Sequence, residues 1–300
     1  MKKKTYLFAL MAMVLTLGSC SDNENGIGGE TSKYITVSTS IGNMTRVATD
    51  ANGGQTFEEG DEISVYAWTG DATVAPETRE RVVNNAINKL TNGSWVSTPQ
   101  MLWKNNRDKH YFIGVYPISA ISDLSAGEYT FDETKQVESD LLVAVNKDGI
   151  SYNADEQQTI PLTFTHVMAK LAVNLTYKNQ WGGIPTVEKV VVGNAAKEAT
   201  INYLTKVVTP STTAKEDFSL PEITENTKYV SVIIPQEDVK QLTIVIGGKN
   251  FVYDNGTPFK LESGKITTVN LEVGRDEIKL GDVKITNWED GSTFSGEALN

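Results

Sequence analysis

Two histidines, one cysteine and 38 carboxylates are the groups in this 300-residue chain with most chemistry to offer, and their spacing permits little of it. His110 and His166 lie far apart with no cysteine beside either, so the short fixed spacings of a zinc site are missing. His166, in the run FTH, has the residue type of a ligand or base, but a histidine buried against backbone fits the same run. No G-x-S-x-G, P-loop or G-x-G-x-x-G occurs. The acidic run Glu58-Glu59-Gly60-Asp61-Glu62 lacks the alternate spacing that wraps oxygen ligands around calcium, and reads as a solvated turn. Carboxylate pairs suited to glycoside hydrolysis arise by chance among so many acids and single out no residue. No catalytic residue, metal ligand or cofactor is therefore assigned. Trp68, Trp95, Trp103, Trp181 and Trp288 either fill cores or, if exposed, stack on sugar rings.

Two residues stand apart by position. Cys20 ends the segment LGSC and is the only cysteine; Arg46 heads the small-residue loop TRVATDANGG. Before Cys20, Lys2 to Lys4 form a charged region and Tyr6 to Leu17 an apolar run, too short for the roughly 20 residues that span a bilayer. Residues 1–19 thus read as a lipoprotein signal peptide, with cleavage before Cys20 and lipid on its thiol and new N-terminus. Acyl chains contribute ~0.8 kcal/mol per buried CH₂, so two or more hold a protein on a membrane. Residues 20–33, polar, acidic and glycine-rich, read as a flexible tether. A single cysteine excludes a disulfide framework, which leaves stability to burial.

The elements that must position these residues announce themselves by alternation. YITVSTSI places Ile35, Val37, Thr39 and Ile41 on one face and hydroxyl residues on the other, as in a half-buried strand. EISVYAW, KHYFIGVYP, DLLVAV, AKLAVNLTY and YVSVIIP read likewise. Gly247-Gly248 predicts a two-residue hairpin turn, and Glu262–Lys265 a turn joining two arms of FKLESGKITTVNLEV. RERVVNNAINKL (79–90) fits a short helix and a strand equally. Short strands with Gly, Asn, Asp and Ser between them are the signature of β-sandwiches. A boundary is expected near Thr165, dividing the chain into 34–165 and 166–300.

The balance of 27 basic to 38 acidic residues, with three of the lysines in the signal, repels nucleic acid and anionic headgroups. No nucleic-acid partner is expected.

The ordered set of segments resembles a known family. The acidic tether after Cys20 is similar to the surface-export signal of lipoproteins in Bacteroides-type bacteria. ITVSTSIGNMTRVATDANGGQTFEEGDEISVYAW, GSWVSTPQMLWKNNRDKHYFIGVYP, IPLTFTHVMAKLAVNLTY, FKLESGKITTVNLEV and ITNWEDGSTFSG follow in turn, and together resemble the fimbrillin-like subunits of type V pili. That resemblance implies an all-β chain of two tandem transthyretin-like β-sandwich domains with mainly antiparallel strands. It implies export as a lipoprotein to the outer membrane and cell surface, then assembly into a fimbrium with other pilus subunits by strand addition. An arginine-specific protease would cut in the loop after the first strand, where Arg46 stands, removing lipid and strand together. The segment DEIKLGDVKITNWEDGSTFSGEALN then either donates a strand to a neighbour or completes its own domain. A host protein or glycan is the adhesion target such a subunit would have. The competing expectation is a surface glycan-binding lipoprotein, which requires tryptophans on one exposed face.

Overall fold

The computed structural model describes residues 33–42, 56–254 and 256–288. Twenty strands account for most of them. In the first half these are β1 (Tyr34–Ile41), β2 (Glu62–Thr69), β3 (Val83–Thr91), β4 (Ser94–Thr98), β5 (Met101–Leu102), β6 (Lys109–Tyr116), β7 (Gly127–Thr130), β8 (Leu142–Ser151) and β9 (Thr159–His166). The second half holds β10 (Ala169–Tyr177), β11 (Val187–Ala196), β12 (Glu198–Asn202), β13 (Val207–Pro210), β14 (Lys215–Ser219) and β15 (Glu222–Thr224). It continues with β16 (Lys228–Ile233), β17 (Gln241–Ile246), β18 (Lys249–Asp254), β19 (Lys265–Val273) and β20 (Ile278–Asn287). Helix among the described residues is confined to two single 3₁₀ turns, at Thr78–Glu80 and Asn179–Trp181.

Eight strands of the first half form one sheet in the order β4-β3-β2-β6-β8-β9-β1-β5. It curls until its ends meet, and the Trp95 Nε1–H on β4 donates to Thr39 Oγ1 on β1 at 3.0 Å. Ile35, Val37, Ile63, Val65, Phe112, Ile160, Leu162 and Phe164 share the enclosed core. The opposite face of β2, β6 and β8, with Tyr66, Trp68, Ile113, Val115 and Val143, joins the core of the second half. Strands buried on both faces have no polar side to show, which explains the near-continuous apolar runs SVYAW and FIGVY.

The second half packs a five-stranded sheet, β15-β16-β10-β19-β20, on a four-stranded one, β14-β11-β17-β18. Val190, Val192, Leu242, Ile244, Val269 and Leu271 fill the space between them. A small sheet, β13-β12-β7, pairs β7 of the first half with β12 of the second, which also pairs β13. Most ladders are antiparallel. The exceptions, β1 on β9 and β10 on β19, each put an early strand parallel to a late one.

Local turn chemistry holds at Gly247-Gly248, whose φ angles of 58° and 70° close the β17–β18 hairpin. The second expected hairpin is absent. Glu262–Lys265 does turn, with Lys265 N–H donating to Glu262 O at 3.1 Å, but the arm before it is not a strand partner. Leu261 bridges Gln236 instead, and β19 pairs with β10 and β20. The ambiguous segment 79–90 resolves into the end of a 3₁₀ turn and the strand β3, where Asn85 takes a φ of 56° beside a register shift.

Candidate functional site

The two residues singled out by position, Cys20 and Arg46, lie outside the described residues. The elements that flank Arg46 are described, and they define the site. Strand β1 is held along one edge by β9, in a parallel ladder that runs from Thr36↔Thr159 to Ile41↔Phe164. Its other edge meets β5 only at Tyr34↔Leu102 and Ile35↔Met101. From Thr36 onward the strand is therefore laddered on one side. Its outward hydroxyls reinforce that side: Thr36 Oγ1 donates to Gln158 O at 3.0 Å, and Ser40 Oγ to Thr163 Oγ1 at 3.2 Å. Its inward face puts Ile35 and Val37 into the core, with Ile41 packed at the edge.

Phe164 fixes both ends of the segment that contains Arg46. Gly42 N–H, closing β1, donates to Phe164 O at 2.7 Å. Phe57, just after the segment, sets its ring edge-on to Phe164, with centroids 5.1 Å apart. The same Phe57 ring meets Trp95 and Tyr116, each at 5.3 Å. Gly114 beneath makes room for this cluster, since a Cβ there would stand 2.6 Å from Phe164 Cζ. Sequence reasoning missed the aromatic box because its four members come from four separate stretches. With β1 gone, Ile160, Leu162 and Phe164 on β9 would face an open groove edged by the N–H and C=O groups of 159–164.

Elsewhere the candidate chemistry is structural. His110 is fully buried; its Nε2 accepts from Lys104 N–H at 3.0 Å and its Nδ1 lies 3.1 Å from Asp108 O. Burial holds that imidazole below its ordinary pKa. His166 Nδ1 lies 2.8 Å from Asp140 Oδ1, and its ring stacks on Trp288, 4.3 Å away at 9°. The two histidines sit in different clusters. In the acidic run, Glu58 N–H donates to Asp61 Oδ2 at 2.7 Å and Glu62 pairs with Lys89, as in an ordinary strand entry. No group of three or more His, Cys, Asp or Glu suited to a metal is found among the described residues. Trp68, Trp103 and Trp288 are buried, while Trp95 and Trp181 are half-buried with their N–H groups bonded to Thr39 and Val273. None forms an exposed platform.

A buried charge lies within an apolar strand. Lys170, in MAKLAV on β10, is buried, and its ammonium stands 4.3 Å from the Trp288 ring centroid. Desolvation brings its pKa down to about 8, opposed by the nearby Asp140 charge.

Sandwich-like sheets, with a first strand laddered mainly along one edge, define an all-β protein of stacked sheets. The chain matches the Fimbrillin-like family over residues 45–288, and it belongs to that family. It is 24% identical to a candidate fimbrium subunit, Fim1C, of Bacteroides uniformis, with 97% of both chains covered. A crystal structure of a candidate cell adhesion protein from Bacteroides ovatus superposes with a TM-score of 0.62 at 18% identity. It covers 85% of this chain and 98% of the other. A second, from Bacteroides uniformis, gives 0.62 at 19% identity over 85% and 99%. These structures share the fold.

Proposed function

We propose that the chain is the precursor of a fimbrial subunit that assembles by exchanging strands. The lipid on Cys20 would hold it at the outer membrane, cleavage after Arg46 would free β1, and a neighbour's extended segment would refill the groove on β9. The pairing of β1 carries this reading. A strand laddered along most of its length on β9, and by two residues on β5, can leave at the cost of the short β5 pairing while the ladders from β4 to β9 remain. Losing it exposes unpaired backbone and an apolar groove, a template for another strand. The match to the Fimbrillin-like family over residues 45–288 supports the coarser part of the reading, a fimbrial subunit.

The donor would come from β20, the last described strand, which carries Ile278, Leu280, Val283 and Ile285. Gly281, an interruption in the sequence pattern, sits at a bulge where Gly281 and Asp282 oppose Asn270, so the alternation survives it. We place the division between two domains at Thr165/His166, one residue before β9 ends and shortly before β10 opens another sheet. No catalytic role is proposed. A glycan-binding role has no supporting platform, because the tryptophans serve the cores.

N-terminal sequencing of the protein recovered from the cell surface tests the scheme. Processed subunits should begin at Val47, and Cys20→Ala should abolish lipid labelling and membrane retention. Lipid labelling that persists in Cys20→Ala would refute the anchor.

A further inference from the structure

Strand β20 is held by its backbone ladder on β19 more than by its side chains. None of its ten residues is buried, and it lies at the edge of its sheet with β19 as its one ladder partner. Val283 and Ile285, opposite the buried Val269 and Thr267, remain about 40% exposed. The residue after the strand is different. Trp288 is buried, its ring lying against the His166 imidazole on one hand and near the Lys170 ammonium on the other, each at 4.3 Å. The backbone N–H of Trp288 also donates to Gly264 O at 3.2 Å. Trp288 is thus the one residue of 278–288 that is buried outright, while Ile278 and Leu280 pack half-buried at the edge of the core. The Trp288 indole N–H has no hydrogen-bond partner among the described residues.

His166 is the last residue of β9, and β9 is the strand on which β1 lies. The β1 ladder reaches Phe164, two residues from His166, and Gly42 bonds the Phe164 carbonyl directly. Beyond His166, Asp140 holds the imidazole and Val167 N–H donates to Leu141 O at 3.0 Å. One short strand thus touches the outgoing N-terminal strand and the anchor of the C-terminal strand.

The geometry points to Trp288 as a positioning residue: a latch that keeps β20 in its own sheet while β1 occupies β9, and that loosens when β1 departs. This rests on the strand-exchange reading above and adds an order to it, with the donor released after the acceptor groove opens. Premature pairing of uncut precursors would be suppressed by the same contact.

Hydrogen exchange on the full chain tests it. In Trp288→Ala the amides of β20 should exchange roughly tenfold faster or more, while those of β2 and β6 keep their protection. Trp288→Phe, which retains a stacked ring, should recover most of the loss. Cleavage after Arg46 with release of the N-terminal strand should accelerate β20 in the otherwise unaltered protein. Unchanged exchange of β20 in Trp288→Ala overturns the latch, and so does uniform acceleration in both the Ala and Phe variants. Unchanged exchange after cleavage overturns its link to β1. If exchange follows expectation and subunits still fail to assemble, the latch stands and the strand-exchange reading fails.

Discussion

Lys170 is the residue whose cost to the fold is easiest to measure. Its folded pKa, about 8, lies below the 10.5 of an exposed lysine. Between those values the unfolded chain binds more protons than the folded one, so stability rises with pH across that window. At about 1.4 kcal/mol per pH unit, the gain between pH 8 and 10 should be on the order of 2 kcal/mol. Lys170→Met should lack that gain, as read from urea midpoints at the two pH values. Above pH 10 the buried hydroxyls of Tyr129 and Tyr203, pushed upward by desolvation, oppose the trend. Equal slopes in parent and variant would show that the ammonium is hydrated. At this scale the sequence was least legible. MAKLAV displays a lysine in an apolar strand without saying that both faces of β10 are buried, and nothing near Phe57 or Trp288 names their distant partners.

For single elements the sequence said more. YITVSTSI was readable in full because one face of β1 is buried and the other is not, so side-chain identity reports burial directly. Strands β2 and β6 blur that pattern since both faces are covered, and only length and β-branching mark them. The turn at Glu262–Lys265 shows where local reading stops: turn residues fix the bend, while the choice of partner is tertiary. The hold on β1 can be tuned at one position. Val37, buried in the core, should cost about 2 kcal/mol when cut back to Ala, from the lost methyl groups and the space they leave. Ser38, facing outward, should cost under about 0.5 kcal/mol when changed to Ala. After cleavage behind Arg46, Val37→Ala should therefore release residues 20–46 faster than the parent on size exclusion, and Ser38→Ala at the same rate.

Across the whole molecule, the all-β character follows from strand alternation and from punctuation by turn residues, and the sheets agree with it. What composition could not reveal is the shared core, in which the back of the first sheet packs with the second half, or the pairing of β7 with β12 across that line. Both depend on contacts between residues far apart in sequence. The same long-range design ties the first described strand and the last described residue to β9, which carries β1 along its ladder and reaches Trp288 through His166.

Cutting after Arg46 should turn a folded monomer into an assembling subunit. Limiting trypsin on the purified precursor, followed by N-terminal sequencing and light scattering on one sample, tests it. Val47 should appear as the first major new terminus, the 20–46 fragment should separate, and the remaining protein should grow into oligomers. Arg46→Ala should stay monomeric and fully folded under the same treatment. An Arg46→Ala variant that assembles as readily as the parent, or a cleaved parent that sheds its first strand and remains a monomer, would contradict the account.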